Sequence, residues 1–446
     1  MKKTLTMVLA LILVLSVAVS LAEPVTIDGL ANRKIKINDA GLNPSADEMI
    51  AQNISPTTGR ALDMIDCPEG FLGTVMTLRY QPIMVQVSNA GGGVNTDSKG
   101  RPATAPINLQ YADVVYESCQ ANGANGGSLT RFSAVFSDVV PDYVGFVRST
   151  RSTHPRIRQE WNCAFITSGY SNADVPDEWR DLMSANLIDK KDYNDYLSPS
   201  STKRNKKRPG LVYVQNFTSR FWTKYMFHCT NISDANDHVY QLANIVQNVY
   251  PKYYEYKESS KEAKYYTPYN HTWKFTDTAP EGGNSGEIVY VTFGGGTKTD
   301  SRLEYNPDTN EYVRYVPVSG KEDVVFRSQV LVNPKIAAKT VNGTKVDMID
   351  PENRVYGDEI TFTNIIIQGI EMNWRGSERP DPVLTGTGNA DYFMGGKHYS
   401  GVWKRDNYNS RTVFYGEDGN EIELLRGKTL IVLMDYNNKG RSVQYE

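Results

Sequence analysis

The sequence predicts a two-domain α+β or α/β protein: a mixed-sheet N-terminal domain with helices, followed by a β-rich C-terminal domain. Three observations predict it. Short apolar runs interleave with helical patterns between residues 80 and 250. From residue 286 the pattern is almost purely strand, broken by turn signals such as Asn306-Pro307-Asp308 and Glu417-Asp418-Gly419-Asn420. Between them lies a Tyr/Lys-rich stretch, residues 251–285, that reads as a linker.

The chain opens on a targeting signal. Lys2 and Lys3 form a positive start, the run Leu5 to Leu21 carries no charge, and Ser20 and Ala22 are small residues at the −3 and −1 positions of a cleavage site. These small residues and the polar sequence after them favour a cleaved signal peptide, residues 1–22, over an uncleaved anchor. The expected product starts at Glu23 and is secreted or extracytoplasmic, in the cell envelope, with no integral membrane span left.

Residues 23–79 are polar and contain Gly, Asn and Pro, as an extended lead-in would. Strands are expected at 83–89, 113–119, 129–136, 143–149, 164–170 and 211–216, and helices at 150–161, 172–187 and 235–250. The Ser/Lys-rich segment 195–210 reads as a solvated loop. In the second domain, residues 286–435, strands are expected in EIVYVTF, SRLEYN, EYVRYVPV, VVFRSQVLV, EITFTNIIIQGIEMN, YFMGG, YSGVWKRD, RTVFYG and LIVLM. Residues 436–446 form a tail.

Composition excludes several classes. Of 446 residues, 40% are hydrophobic and 22% charged, enough to bury a large core and unlike a disordered or multi-spanning membrane chain. The net charge is −3 and no basic run extends beyond Lys203–Arg208, so no nucleic-acid partner is expected. Cys67, Cys119, Cys163 and Cys229 permit two disulfides in an exported protein, with buried free thiols as the alternative. CxxC, HExxH, GxSxG and a complete P-loop are absent. GGGTKT (294–299) reads as a Gly-rich loop, and His228, His238, His271 and His398 are isolated. No metal and no cofactor is expected. Trp374, Trp403, Tyr392, Tyr399 and Tyr408 could stack on sugars or peptides, but core packing is the preferred reading.

The residues that could bind a ligand cluster early. If the runs 113–119, 129–136 and 143–149 form a meander, a register centred on the turns sets Glu117 opposite Arg131, with Arg131 near Arg148. Alternation places Asp113, Glu117 and Cys119 on one face and Val114 and Tyr116 on the other. Ser149 and Arg151 follow, ahead of a helix start near His154. Glu117, Arg131, Arg148, Ser149 and Arg151 would then surround an anion such as a carboxylate or phosphate. The competing reading is a cross-strand ion network that only fixes the sheet. His154 could act as a general base, although a surface histidine in a first helical turn is the commoner case.

Several strings, in order, carry a resemblance. They are NISPTTGRALD (53–63), RYQPIMVQVSN (79–89), RPATAPINLQYADVVYE (101–117), GGSLTRFSAVFS (126–137) and VGFVRSTR (144–151). SRLEYNPDTNEYVRY (301–315), TNIIIQGIE (363–371), GTGNADYFMGGKHYSGVWKRD (386–406) and DGNEIELLRGKTLIVL (418–433) follow. Together they resemble the N- and C-terminal domains of the YerB-like bacterial envelope proteins, a family of unknown function. Three features depart from it: no lipobox cysteine, a longer ANGANGGS segment before Arg131, and Arg208-Pro209-Gly210 with Asn216 where a His-Asn pair is expected. The family lends no catalytic residue. The reading is therefore a non-catalytic binding protein whose partner is an anionic small molecule or an envelope polymer or protein. The alternatives are an enzyme on envelope polymer or peptide using Glu117 or His154 as acid/base, and an envelope assembly factor.

Overall fold

The structure, a computed structural model, describes residues 23–38, 43–89, 105–121, 129–148, 151–161, 163–167, 226–228, 240–242, 272–294, 300–318, 322–331, 335–341, 344–350, 354–374, 380–408, 410–438 and 440–446. Strands dominate it and helices are few, so the fold is mostly β with mixed sheets, and only in part the α+β or α/β class expected.

An eleven-stranded sheet organises the molecule. Its strands are β1 (Ile83–Ser88), β2 (Val114–Ala121), β3 (Leu129–Phe136), β4 (Ala164–Thr167), β5 (Met226–His228), β6 (Asn284–Ser285), β7 (Asn364–Gly369), β8 (Gly386–Met394), β9 (Lys397–Arg405), β10 (Val413–Gly416) and β11 (Thr429–Met434). Their order is β6-β9-β8-β7-β11-β2-β3-β1-β4-β5, with β10 also on β9. The β7/β11, β11/β2, β1/β4 and β4/β5 pairs are parallel and the rest antiparallel. Central strands buried on both faces favour apolar residues at successive positions, which is why Ile365–Ile367 and Leu430–Met434 read as unbroken apolar runs.

The β11/β2 ladder corrects the domain expectation in one respect. Thr429 to Leu433 pair with Val114 to Ser118, so the sheet runs through both halves of the chain. The described residues of 80–250 and of 286–435 therefore share one sheet and do not pack as separate bodies.

A seven-stranded antiparallel sheet covers one face of the large one. Residues 25–26, 442–445, 288–292, 301–306, 311–316 and 324–325 follow one another across it, and 361–362 pairs with 311–316. Val85, Val115, Phe132, Ile365, Ile367, Leu430 and Val432 meet Val289, Leu303, Tyr312, Phe326 and Val443 in the layer between the sheets. The alternate residues, Tyr116, Val135, Ile366, Ile431 and Leu433, face the opposite side, where helix α3 lies. Each such fully buried aliphatic side chain contributes about 1.5–3 kcal/mol.

Three α-helices are present among the described residues: α1 (Ala46–Ala51), α2 (Thr74–Thr77) and α3 (Thr153–Trp161). The expected helix at 150–161 is α3, while 172–187 lies outside the described residues, as do the strand at 211–216 and the 195–210 loop. Within 235–250, Tyr240–Gln241 form a strand on Tyr143–Val144 instead of a helix.

The described residues of the lead-in, linker and tail belong to the fold. In the lead-in, α1 starts from a capping box in which Ser45 and Glu48 satisfy each other's backbone donors. Ser55 and Thr58 donate to the buried Asp138 carboxylate. Trp273, from the supposed linker, is buried and donates to the Thr412 carbonyl at 3.0 Å. The tail supplies the strand Ser442–Tyr445. Cys67, Cys119 and Cys163 are free thiols, so the two-disulfide alternative is not realised among the described residues, and Cys229 lies outside them.

Candidate anion-binding site

The expected cluster splits between the two faces of the large sheet. Glu117 stands opposite Phe132, and Arg131 stands opposite Ser118. The physical reason is a one-residue offset: the hairpin closes on Ala121 and Leu129, and an irregularity between Cys119 and Ala121 shifts the pairing below it. A one-residue slip moves a side chain to the other face, so Glu117 and Arg131 leave the sheet on opposite sides. The strand order differs as well. β3 is flanked by β2 and β1, not by the segment 143–149, of whose described residues only Tyr143–Val144 form a strand.

Glu117 lies between the two sheets, fully buried. Its Oε1 accepts from Asn89 Nδ2 at 2.7 Å and Thr130 Oγ1 at 2.9 Å, and its Oε2 lies 3.5 Å from Arg314 Nη2. Burial pushes its carboxyl up from the ordinary range, and the Arg314 charge opposes that only in part. Arg314 is enclosed too, with its guanidinium 5.1 Å from the Phe132 ring centre and 4.6 Å from that of Phe326. Glu117 belongs to this internal pair and not to the arginine face. Sequence reasoning missed Arg314 because it lies far along the chain, on the other sheet.

The three arginines lie on the α3 side of the large sheet. Arg148 N donates to Gln86 O at 2.7 Å, and Val87 bridges to Val147, so Arg148 shares a face with Gln86. Arg131 pairs with Ser88, two residues along β1, and has the same orientation. Arg148 and Arg131 thus flank β1 on one face. Arg151 precedes α3 there, and its amide donates to His154 Nδ1 at 2.9 Å. Burial, then the charges of Arg131 and Arg151, hold His154 well below its ordinary value. The imidazole is neutral, with its proton on Nε2 because Nδ1 is an acceptor. Its lone pair is thereby occupied, which is the wrong state for a general base. Ser149 lies outside the described residues.

Helix α3 also joins the halves. Trp161 Nε1 donates to Tyr116 Oη at 2.9 Å. Arg156 pairs with Asp381 at 2.7 Å, and Glu160 with Arg405 at 3.5 Å. Arg411 lies between the rings of Trp161 and Trp273, 4.3 and 4.0 Å from their centres.

Two further polar clusters escaped the sequence reading. His398 Nε2 lies 2.9 Å from Asp391 Oδ1, but Ser400 donates to that same oxygen and not to the imidazole, so these three residues do not form a nucleophilic relay. Arg33 Nη2 also reaches Asp391, at 3.0 Å, and fastens the lead-in to β8. Asp113 and Asp138 are buried together. Asp138 N donates to Asp113 Oδ2 at 2.9 Å, and burial raises both carboxyls. Trp403 and Tyr392 are buried, and Trp374, Tyr399 and Tyr408 pack against the core, as the packing reading required. No group of three or more His, Cys, Asp or Glu residues able to hold a metal occurs among the described residues.

Comparison with known proteins returns the same family for both halves. Residues 76–226 match the N-terminal domain, and residues 289–431 the C-terminal domain, of the protein of unknown function DUF3048. No curated protein matches the chain. Among solved structures it is similar to the crystal structure of the YerB protein from Bacillus subtilis, with 18% identity and a TM-score of 0.47, covering 87% of this chain and 99% of that one. With both of its domains matched in order, the chain belongs to the YerB-like DUF3048 family.

Proposed function

We propose that this chain is an exported, envelope-associated binding protein, without catalysis, that recognises an anionic group through Arg131, Arg148 and Arg151. The observation that carries the reading is the arrangement around β1. Arg131 and Arg148 flank it on one face, and Arg131 and Arg151 both act on a histidine held neutral. Guanidinium groups bind carboxylate, sulfate or phosphate through paired, charge-assisted hydrogen bonds. The neutral His154 offers an Nε2 donor and not a base, which favours binding over acid/base chemistry. Glu117, enclosed between the sheets, plays no part in the site.

Calorimetric titration of the exported chain with phosphate, sulfate and citrate tests the proposal, after N-terminal sequencing has confirmed a start at Glu23. Arg148→Ala should weaken the best of these anions ~10-fold or more, while Arg148→Lys should keep the charge and lose the fork, giving an intermediate affinity. A lower melting temperature in Arg148→Ala, with anion affinity unchanged or undetectable in every form, would show a structural ion network instead.

A further inference from the structure

A second recess lies on the C-terminal half, away from the arginine face. It has a volume of about 280 Å³ and lies between the lead-in, Glu371 and Val383, and the chain after β11. Gly29 of the lead-in crosses Tyr436 so closely that a Cβ there would stand 2.1 Å from the ring carbons. Only glycine allows that crossing, and it brings Leu30 to the rim, 62% exposed. The indole of Trp403 backs the recess, held by its Nε1 bond to Gly369 O at 2.8 Å.

The lining has two chemical parts. Leu30, Val383 and the partly exposed ring of Tyr436 form an apolar side. Glu371, Thr387 and Asn437, all exposed, supply a carboxylate, a hydroxyl and an amide. Glu371 is the only charged side chain among the described lining residues, so an anionic ligand is disfavoured and the ligand of the arginine face does not belong here. The size is near the lower limit of small-molecule sites, which suits one ring-sized unit. A planar carboxylate and a planar amide each bridge neighbouring hydroxyls, while an aromatic ring and aliphatic groups accept a C–H face.

We infer that this recess is a binding site for a neutral saccharide unit, its C–H face against Tyr436 and Leu30 and its hydroxyls on Glu371, Asn437 and Thr387. The inference does not depend on the arginine site, and its test uses different ligands. Saturation-transfer NMR on the full chain with glucose, N-acetylglucosamine and cellobiose, and with tetraglycine and lysine ethyl ester as controls, reads it directly. A saccharide should bind in the millimolar range expected for so few contacts. Glu371→Gln and Asn437→Ala should each weaken it ~5-fold or more, and Thr387→Trp, which fills the recess, should abolish it. Both smaller substitutions are at exposed positions, so a folded variant is assured even if Thr387→Trp is not. Binding of tetraglycine or of the amine in preference to every sugar would overturn the assignment, as would no sugar binding at 50-fold above ~1 mM, or sugar binding that all three variants leave intact.

Discussion

The buried pair Glu117–Arg314 allows a quantitative prediction. Both groups are enclosed, yet their 3.5 Å separation exceeds the 2.7–2.9 Å of a good charge-assisted bond. Nε and Nη1 of Arg314 have no hydrogen-bond partner. Burial raises the Glu117 carboxyl and lowers the Arg314 guanidinium, so for each partner desolvation outweighs mutual attraction. Removing one partner leaves the other charge buried, which costs about 3–5 kcal/mol. The two single changes differ in one respect. A carboxyl left alone neutralises by taking a proton, whereas a guanidinium keeps its charge. Glu117→Gln, which still accepts from Asn89 and Thr130, should therefore destabilise by about 3–5 kcal/mol, and Arg314→Met by less, increasingly so as pH falls. A chain of 446 residues has an unfolding entropy near 0.9 kcal/mol per degree, so the larger loss corresponds to roughly 3–6 °C. The double variant should return close to the parent or exceed it, because the apolar Met sits between Phe132 and Phe326. Urea unfolding of the four proteins measures the cycle. A double variant as unstable as the sum of the singles would refute the reasoning.

Two further outcomes follow from the same structure. Because β11 ladders on β2, residues 23–250 expressed alone should lack the central parallel neighbour and fail to give a cooperative unfolding transition; a folded, cooperative fragment would contradict the shared sheet. The pH dependence of stability should have two opposed limbs. Asp113, Asp138 and Glu117 have raised values in the fold, so their contribution is fullest below about pH 4, where the unfolded chain is also protonated, and is lost as pH rises through their folded values. His154 is kept neutral in the fold, so its contribution is lost as pH drops below about 6.5, where the unfolded imidazole takes up a proton. Urea midpoints for His154→Gln should be flatter between pH 5 and 6.5 than for the parent, and an unchanged slope would exclude His154 as the source.

How far the fold could be read from the sequence depended on the range of the forces involved. Local alternation and apolar runs located β1, β2, β3, β7 and β11 because burial acts residue by residue. The hairpin 335–341/344–350 was not anticipated, since KIAAKTV and TKVDMID lack a clear apolar alternation. The lead-in read as extended because its anchors are single polar contacts, such as Ser55 and Thr58 on Asp138 and Arg33 on Asp391, which leave no periodic trace. The segment 251–285 reads as a linker because Tyr and Lys dominate its composition, yet its described residues are tied in through Trp273 in the core, Lys274–Thr276 beside Glu423–Leu425 and Asn284–Ser285 beside Lys397 and His398.

The site shows where such reading stops. Alternation alone correctly put Glu117 with Asp113 and Cys119, and opposite Val114 and Tyr116, because that depends on one strand. Joining Glu117 to Arg131 needed the register between two strands, and one irregularity beyond Cys119 reversed it. Arg131 and Arg148 stand in a different relation from the one assumed. They are not neighbours in a meander but flank β1, whose own place depends on pairing across some fifty residues of chain. Glu117 itself is committed to Arg314 on the far face and takes no part in the arginine group. Helix α3 meets strands from both halves, through Trp161–Tyr116 on the first and Arg156–Asp381 and Glu160–Arg405 on the second. A ligand held at Arg151, just before α3, would therefore act on the element that ties the two family domains together.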